Sequence, residues 1–158
     1  MKVEKKSAAA AKLKARVLAC LEAGASAAGC TMEHRWMDPA YADMIDNPVL
    51  IDLFSANAER TGRNLADPSV ATNVVGSTDM GNVSKVVPSI HAMIRIADLD
   101  VPGHSERFRE SAISGDGDRA VADGAKILAM TAIDAWSDPT VLHHAQAEFA
   151  AKTAAEPD

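Results

Sequence analysis

The sequence predicts an α/β fold in which helices pack on a sheet. Three observations carry that expectation: apolar residues at four-residue spacing near the amino end, strict alternation over 88–96, and a long run of small apolar residues at helical spacing after 115. The 158 residues suffice for one domain with a real hydrophobic core.

Residues 7–28, SAAAAKLKARVLACLEAGASAA, read as a helix. Leu13, Val17 and Leu21 recur every fourth position, and Gly29 stands where a helix stop belongs. CTMEHRWM at 30–37 alternates, with Cys30, Met32, His34 and Trp36 on one face and Thr31, Glu33 and Arg35 on the other. That pattern predicts a half-buried strand with His34 as a satisfied core histidine. Asp38-Pro39 and Asn47-Pro48 bracket a connector, and the composition change at 38–47 marks the predicted domain boundary. Asn47 is the expected N-cap and Pro48 the first residue of a helix over 48–61, which runs on Leu50, Leu53, Phe54 and Ala58 and ends at Gly62.

Residues 63–75 form a predicted loop leading to a short strand, NVV. After the glycine-containing segment GSTDMGN at 76–82 comes VVPSIHAMIRIAD, the clearest strand pattern in the chain. Pro88, Ile90, Ala92, Ile94 and Ile96 alternate there with Ser89, His91, Met93 and Arg95. Pro88 places it at a sheet edge or at the strand's first residues. SERFRESA then gives a short helix, and 115–136 a long one with Asp116 or Asp118 as cap and a small apolar stripe of Ala120, Gly124 and Leu128. Asp138-Pro139 opens a last helix.

A net charge of −6 and a pI near 5.3 argue against a nucleic-acid partner, and the one lysine-rich stretch, Lys2 to Lys14, reads as a solvated helix start. No apolar run approaches the ~18 residues of a membrane span, and the amino end lacks the apolar core of a secretory signal, so a cytoplasmic location is expected. Cys20 and Cys30 have no metal-knuckle spacing and read as small buried hydrophobes.

Spacing alone yields weak chemistry. There is no Ser-His-Asp arrangement, phosphate loop, dinucleotide fingerprint or HExxH motif. His104, between Gly103 and Ser105 and just before a helix, has room to reach a ligand, but one imidazole makes no metal site. His143 and His144 are adjacent and read as surface residues. Gly76, Ser77, Thr78, Asp79, Gly81 and Asn82 are more small and polar residues than a surface hairpin needs. They suit a loop that brings backbone close to a ligand.

In order, GSTDMGNVSKVVPSIHAMIRI, GHSERF and DRAVADGAKILAMTAIDAW resemble the carboxy-terminal part of the M20 metallohydrolases, in the branch of aminoacylases and aminobenzoyl-glutamate hydrolases. LKARVLACLEAGASAAGC and AYADMIDNPVL are similar to the end of that family's inserted lid and the return to its catalytic domain. The resemblance implies a zinc-peptidase-like catalytic domain, helices on a mixed sheet, preceded by the last helix and strand of a ferredoxin-like lid that commonly mediates dimerisation. The implied division is 1–37, the end of the lid, and 38–158, the carboxy-terminal part of the catalytic domain.

The implied activity is hydrolysis of the amide bond of N-acyl amino acids or small peptides. A divalent metal, zinc first and manganese or cobalt otherwise, activates water, and a carboxylate takes the proton. By position His104 matches the family's final metal-ligating histidine. Ser77, Thr78, Asp79, Asn82 and His91 are the expected substrate-lining residues, Asp79 alternatively orienting the loop. For the loop residues local turn structure is the competing reading; for His91 it is a hydrogen-bonded sheet histidine.

The family's other donors, its Glu-Glu pair with the general base and its bridging carboxylate, have no counterpart in these residues, and Ala92 stands where relatives often carry Pro. The expectation is therefore a segment inactive alone, completed by a separate amino-terminal polypeptide. Two alternatives remain: a non-catalytic remnant or interaction module that keeps the scaffold, and a helix-rich α/β binding protein unrelated to hydrolysis. One helix and one strand before the connector are too little for a domain. The chain reads as beginning inside a larger unit, with apolar faces that make it a homo-oligomer or a bound partner.

Overall fold

The structure is a computed structural model that describes residues 3–37, 39–64 and 78–155. Among them are six helices: α1 Val3–Ala27, α2 Pro48–Arg60, α3 Met80–Ser84, α4 Glu106–Ala112, α5 Gly115–Ser137 and α6 Pro139–Ala154. The chain divides into two compact units, 1–41 with 150–158, and 42–149. The predicted strand NVV at 73–75 and most of the predicted loop before it lie outside the described residues.

Helix ends follow cap chemistry. Gly29 takes φ 68° after α1, with its N–H donating to the Ser26 carbonyl at 3.1 Å and the Cys30 N–H to that of Ala25 at 2.8 Å. Gly62, at φ 81°, closes α2 in the same way, the Gly62 N–H meeting Glu59 at 2.9 Å and the Arg63 N–H meeting Ala58 at 3.0 Å. Only a residue indifferent to positive φ makes this double bond cheaply. Asn47 caps α2 by accepting from the Leu50 N–H at 3.3 Å, with Pro48 first in the helix. At α5 the cap is Ser114, whose hydroxyl accepts from the Gly117 N–H at 3.2 Å. Asp116 and Asp118, the expected caps, lie instead in the first turn, where their charge faces the positive end of the helix.

In the unit 42–149, α2 packs along α5, and α4 also packs on α5. Phe54 and Ala58 of α2 meet Ile127 of α5, with Ile90 and Ile94 against them. Asn57 is buried in the same seam; its amide donates to the Asp134 carboxylate at 2.9 Å and the Thr131 hydroxyl at 3.3 Å, and its oxygen accepts from Arg60 at 2.9 Å. A buried amide needs such partners, and here it finds all of them.

The α5 stripe differs from the predicted one in its third member. Ile127 is fully buried, whereas Leu128 is 60% exposed. Seven residues from Ala120 complete almost two turns, while eight overshoot by roughly 80°, so Ile127 and not Leu128 stays on the buried face. Gly124 brings that face to Ile94, whose Cδ1 would lie 2.9 Å from an added Cβ. The flank of that face carries Val121, Leu128 and Trp136, all exposed. An apolar flank left uncovered widens the stripe beyond what α2 and 90–94 bury.

The predicted strands form no ladder among the described residues beyond one parallel bridge, Asp46 to Ser89. At 88–96 the alternation survives only in part as burial. Ile90, Ile94 and Ile96 are partly covered and His91, Met93 and Arg95 exposed, but Ala92, expected on the covered face, is exposed. Ser89, expected on the polar face, is buried because its carbonyl meets the Asn47 N–H. A strand is a pairing, and a pattern cannot supply the partner. In the unit 1–41, Met32 is half-buried while Cys30, His34 and Trp36 are exposed. His34 is thus not a core residue; it meets the Trp36 ring edge-on at 6.0 Å, and the Lys14 ammonium sits 4.0 Å from that ring's centre. Cys20 and Cys30 are exposed free thiols and not buried hydrophobes.

Candidate functional site

The glycine-containing segment does not remain a loop throughout. Residues 80–84 wind into α3, and α3 lies against the segment 42–47. Gly81 makes the approach possible: an added Cβ would stand 1.9 Å from the Ala42 carbonyl oxygen. The close contact that this glycine permits is with the protein's own backbone. Three N–H groups of 42–47 are then satisfied in succession. Ala42 donates to Asn82 Oδ1 at 3.0 Å, Ile45 to the Ser84 hydroxyl at 2.9 Å, and Asn47 to the Ser89 carbonyl at 3.1 Å. Lys85 pairs with Asp43 at 3.2 Å along the same seam. Ser84, fully buried, donates its hydroxyl hydrogen bond to the Gly81 carbonyl at 2.7 Å.

Of the residues expected at the site, Ser77 lies outside the described residues. Thr78 is half-buried, its hydroxyl 3.4 Å from the Asp79 carboxylate and accepting from the Met80 N–H at 3.3 Å. Asp79 is exposed at the start of α3 and its side chain makes no cap bond, because its own backbone is already helical at φ −65°, ψ −15°. Asn82 is half-buried and tied to Ala42. Thr78 and Asp79 lead into α3 and Asn82 lies within it; His91 is exposed on the segment that follows. No sequence signal marks the backbone roles of Ser84 and Ser89, since a serine beside an apolar run carries no distinctive spacing.

His104 is exposed and takes φ 60°, the sole positive φ of a non-glycine residue among those described. A side chain in that region costs about 1–2 kcal/mol, so the surroundings must hold it there. Ser105, the cap of α4, donates to the Pro102 carbonyl at 2.7 Å and accepts from the Phe108 N–H at 3.2 Å. Arg107 reaches back to Asp100 at 3.2 Å. The imidazole fits a single nitrogen donor position. A catalytic metal takes about three protein ligands, and among the described residues no group of three or more His, Cys, Asp or Glu side chains could hold one. Taken alone, these residues do not fit a catalytic metal.

A separate open cleft of about 490 Å³ lies between α4, the start of α5 and the segment 95–101. Its cations are largely spoken for: Arg63 bonds Asp123 at 2.9 Å and Arg107 bonds Asp100. No helix among the described residues is long and apolar enough to cross a membrane.

No family model matches the chain. It is similar to the Xaa-Arg dipeptidase of Mus musculus, 35% identical over 134 residues that make up 84% of this chain and 31% of that protein. It is also similar to the Xaa-Arg dipeptidase of Homo sapiens, at 33% over 134 residues, 84% of this chain and 30% of the relative. The chain spans less than a third of the length of these curated relatives.

Proposed function

The chain is M20 peptidase-like over 134 of its residues, and on that premise we propose that it forms the carboxy-terminal part of a metal-dependent hydrolase cleaving the amide bond of dipeptides or N-acyl amino acids. The similarity to two dipeptidases over 84% of the chain carries this reading. His104 gives one donor to a divalent ion, zinc first and manganese or cobalt otherwise. The remaining donors and the general base come from polypeptide beyond this segment, and no catalytic step is assigned to the segment by itself. Residues 1–37 belong to the lid and 38–158 to the catalytic domain, in a cytoplasmic setting.

In this reading Thr78, Asp79, Asn82 and His91, with Ser77, line the substrate side. The apolar faces of α1 (Leu13, Val17, Leu21) and of α5 (Val121, Leu128, Trp136) are exposed. We assign them to contacts with the completing polypeptide, or with a second copy when the chain is alone.

The test is co-expression with a polypeptide carrying the missing donors, followed by assay on an Xaa-Arg dipeptide and on an N-acyl amino acid. Hydrolysis abolished by a chelator and by His104→Ala is the expected outcome. Bound zinc and activity both unchanged in His104→Ala would refute the donor assignment and favour a scaffold that has kept its fold without the chemistry.

A further inference from the structure

A histidine at φ 60° on an exposed turn stays there only if something else fixes the turn, because its own side chain favours negative φ. Two groups are available. The Arg107–Asp100 pair is exposed on both sides, at 61% and 69%, and solvent screens it. The Ser105 hydroxyl is better placed, with one bond on each side of His104. It donates back to the Pro102 carbonyl at 2.7 Å and accepts from the Phe108 N–H at 3.2 Å. The first bond closes the turn over Gly103 and His104; the second anchors that turn to the first turn of α4.

We propose that Ser105 is the positioning residue for His104: its hydroxyl, donating to Pro102 while capping α4, holds His104 in the left-handed backbone region and so fixes the direction in which the imidazole leaves the chain. The functional weight of this rests on His104 being a metal donor, but the conformational claim does not. Helix capping needs only the acceptor half of the hydroxyl; the positioning role needs the donor half.

That division supplies the test, made on the 158-residue chain by NMR. The sign of φ at His104 is read from the intraresidue H–N to Hα nuclear Overhauser effect, which is strongest at positive φ. Ser105→Asp keeps a cap acceptor for Phe108 and cannot donate to Pro102. It is expected to retain α4 yet lose the strong His104 effect, as Ser105→Ala does, while Ser105→Thr restores it. Phe108 amide exchange should rise about fivefold to tenfold in the alanine variant and stay near native in the aspartate one. A strong His104 effect persisting in Ser105→Asp overturns the proposal. Unchanged zinc content in His104→Ala would overturn the donor reading instead, so the two failures are separable.

Discussion

Asn47 serves three parts of the molecule at once and is 3% exposed. Its backbone N–H reaches Ser89, its side-chain oxygen caps α2 at Leu50, and its side-chain amide donates to the Ala145 carbonyl of α6 at 2.8 Å. Asn47→Ala keeps only the first. Loss of the cap costs about 1 kcal/mol and loss of the donor to Ala145 about 1 kcal/mol more, together a sizeable share of the ~5–15 kcal/mol that holds a domain. For a chain of this size that is a fall in Tm of about 4–8 °C. Asn47→Ser, which can still cap, should lose about half as much. Asn47→Asp is the sharper probe. It caps well but turns a carboxylate oxygen toward the Ala145 carbonyl, in a buried place. Burial and the facing carbonyl raise its folded pKa above the unfolded value against the smaller opposite pull of the cap bond, and the protonated acid can donate where the carboxylate cannot. Its deficit relative to the native chain should therefore be small in acid and grow as pH rises through that folded pKa. Urea unfolding followed by far-UV circular dichroism reads these as midpoint shifts at constant slope. An Asn47→Ala midpoint equal to the native one, or an aspartate variant as stable as native at neutral pH, would refute the reasoning.

Gly81→Ala places a Cβ where the Ala42 backbone stands, so its cost in urea unfolding should reach or exceed the ~1–3 kcal/mol usual for overpacking; a neutral result would mean that α3 does not dock on 42–47. The pair Leu128→Lys with Trp136→Lys should lower the sedimenting mass of the isolated chain without loss of helix signal, because both side chains lie on the exposed face of α5. Bonds from the Thr140 hydroxyl and N–H hold the Asp138 carboxyl below its ordinary value. Such a depressed group stabilises the start of α6 above the unfolded pKa, near ~3.9, and that support is lost as pH falls through the folded pKa. Thr140→Val should move the NMR titration of Asp138 upward, by removing one of the two bonds.

Helices were legible because their signals are local. Asn47-Pro48, Gly29, Gly62 and Asp138-Pro139 each mark a boundary that the structure keeps within a residue or two. The sheet was not, because alternation at 88–96 suggests a covered side, which Ser89 and Ala92 do not follow, and never names the strand that pairs with it. Leu128 stands two four-residue steps from Ala120, and that spacing drifts off the 3.6-residue face. Around α3, Thr78 and Asp79 lead into the helix and Asn82 lies in it, and composition alone does not distinguish a wall for substrate from a socket for the protein's own backbone.

Asn82 is where those two roles can be separated. Its Oδ1 holds the Ala42 N–H at 3.0 Å, while a substrate-lining role would call on the amide hydrogens as well. Asn82→Asp preserves an acceptor of the same shape and removes both side-chain donors. If the bond from Ala42 to Oδ1 is all that the fold draws from the Asn82 side chain, Asn82→Asp should unfold near the native midpoint and Asn82→Leu should lose about 1–3 kcal/mol, the cost of leaving a part-buried N–H unpaired. Activity of the completed enzyme should then follow stability in both variants. If the amide also meets substrate, the aspartate variant should fold normally and yet show a raised KM, since a carboxylate repels an anionic dipeptide terminus where an amide would donate to it. A stable aspartate variant with native KM would remove Asn82 from the substrate side and leave it as the clasp between α3 and 42–47.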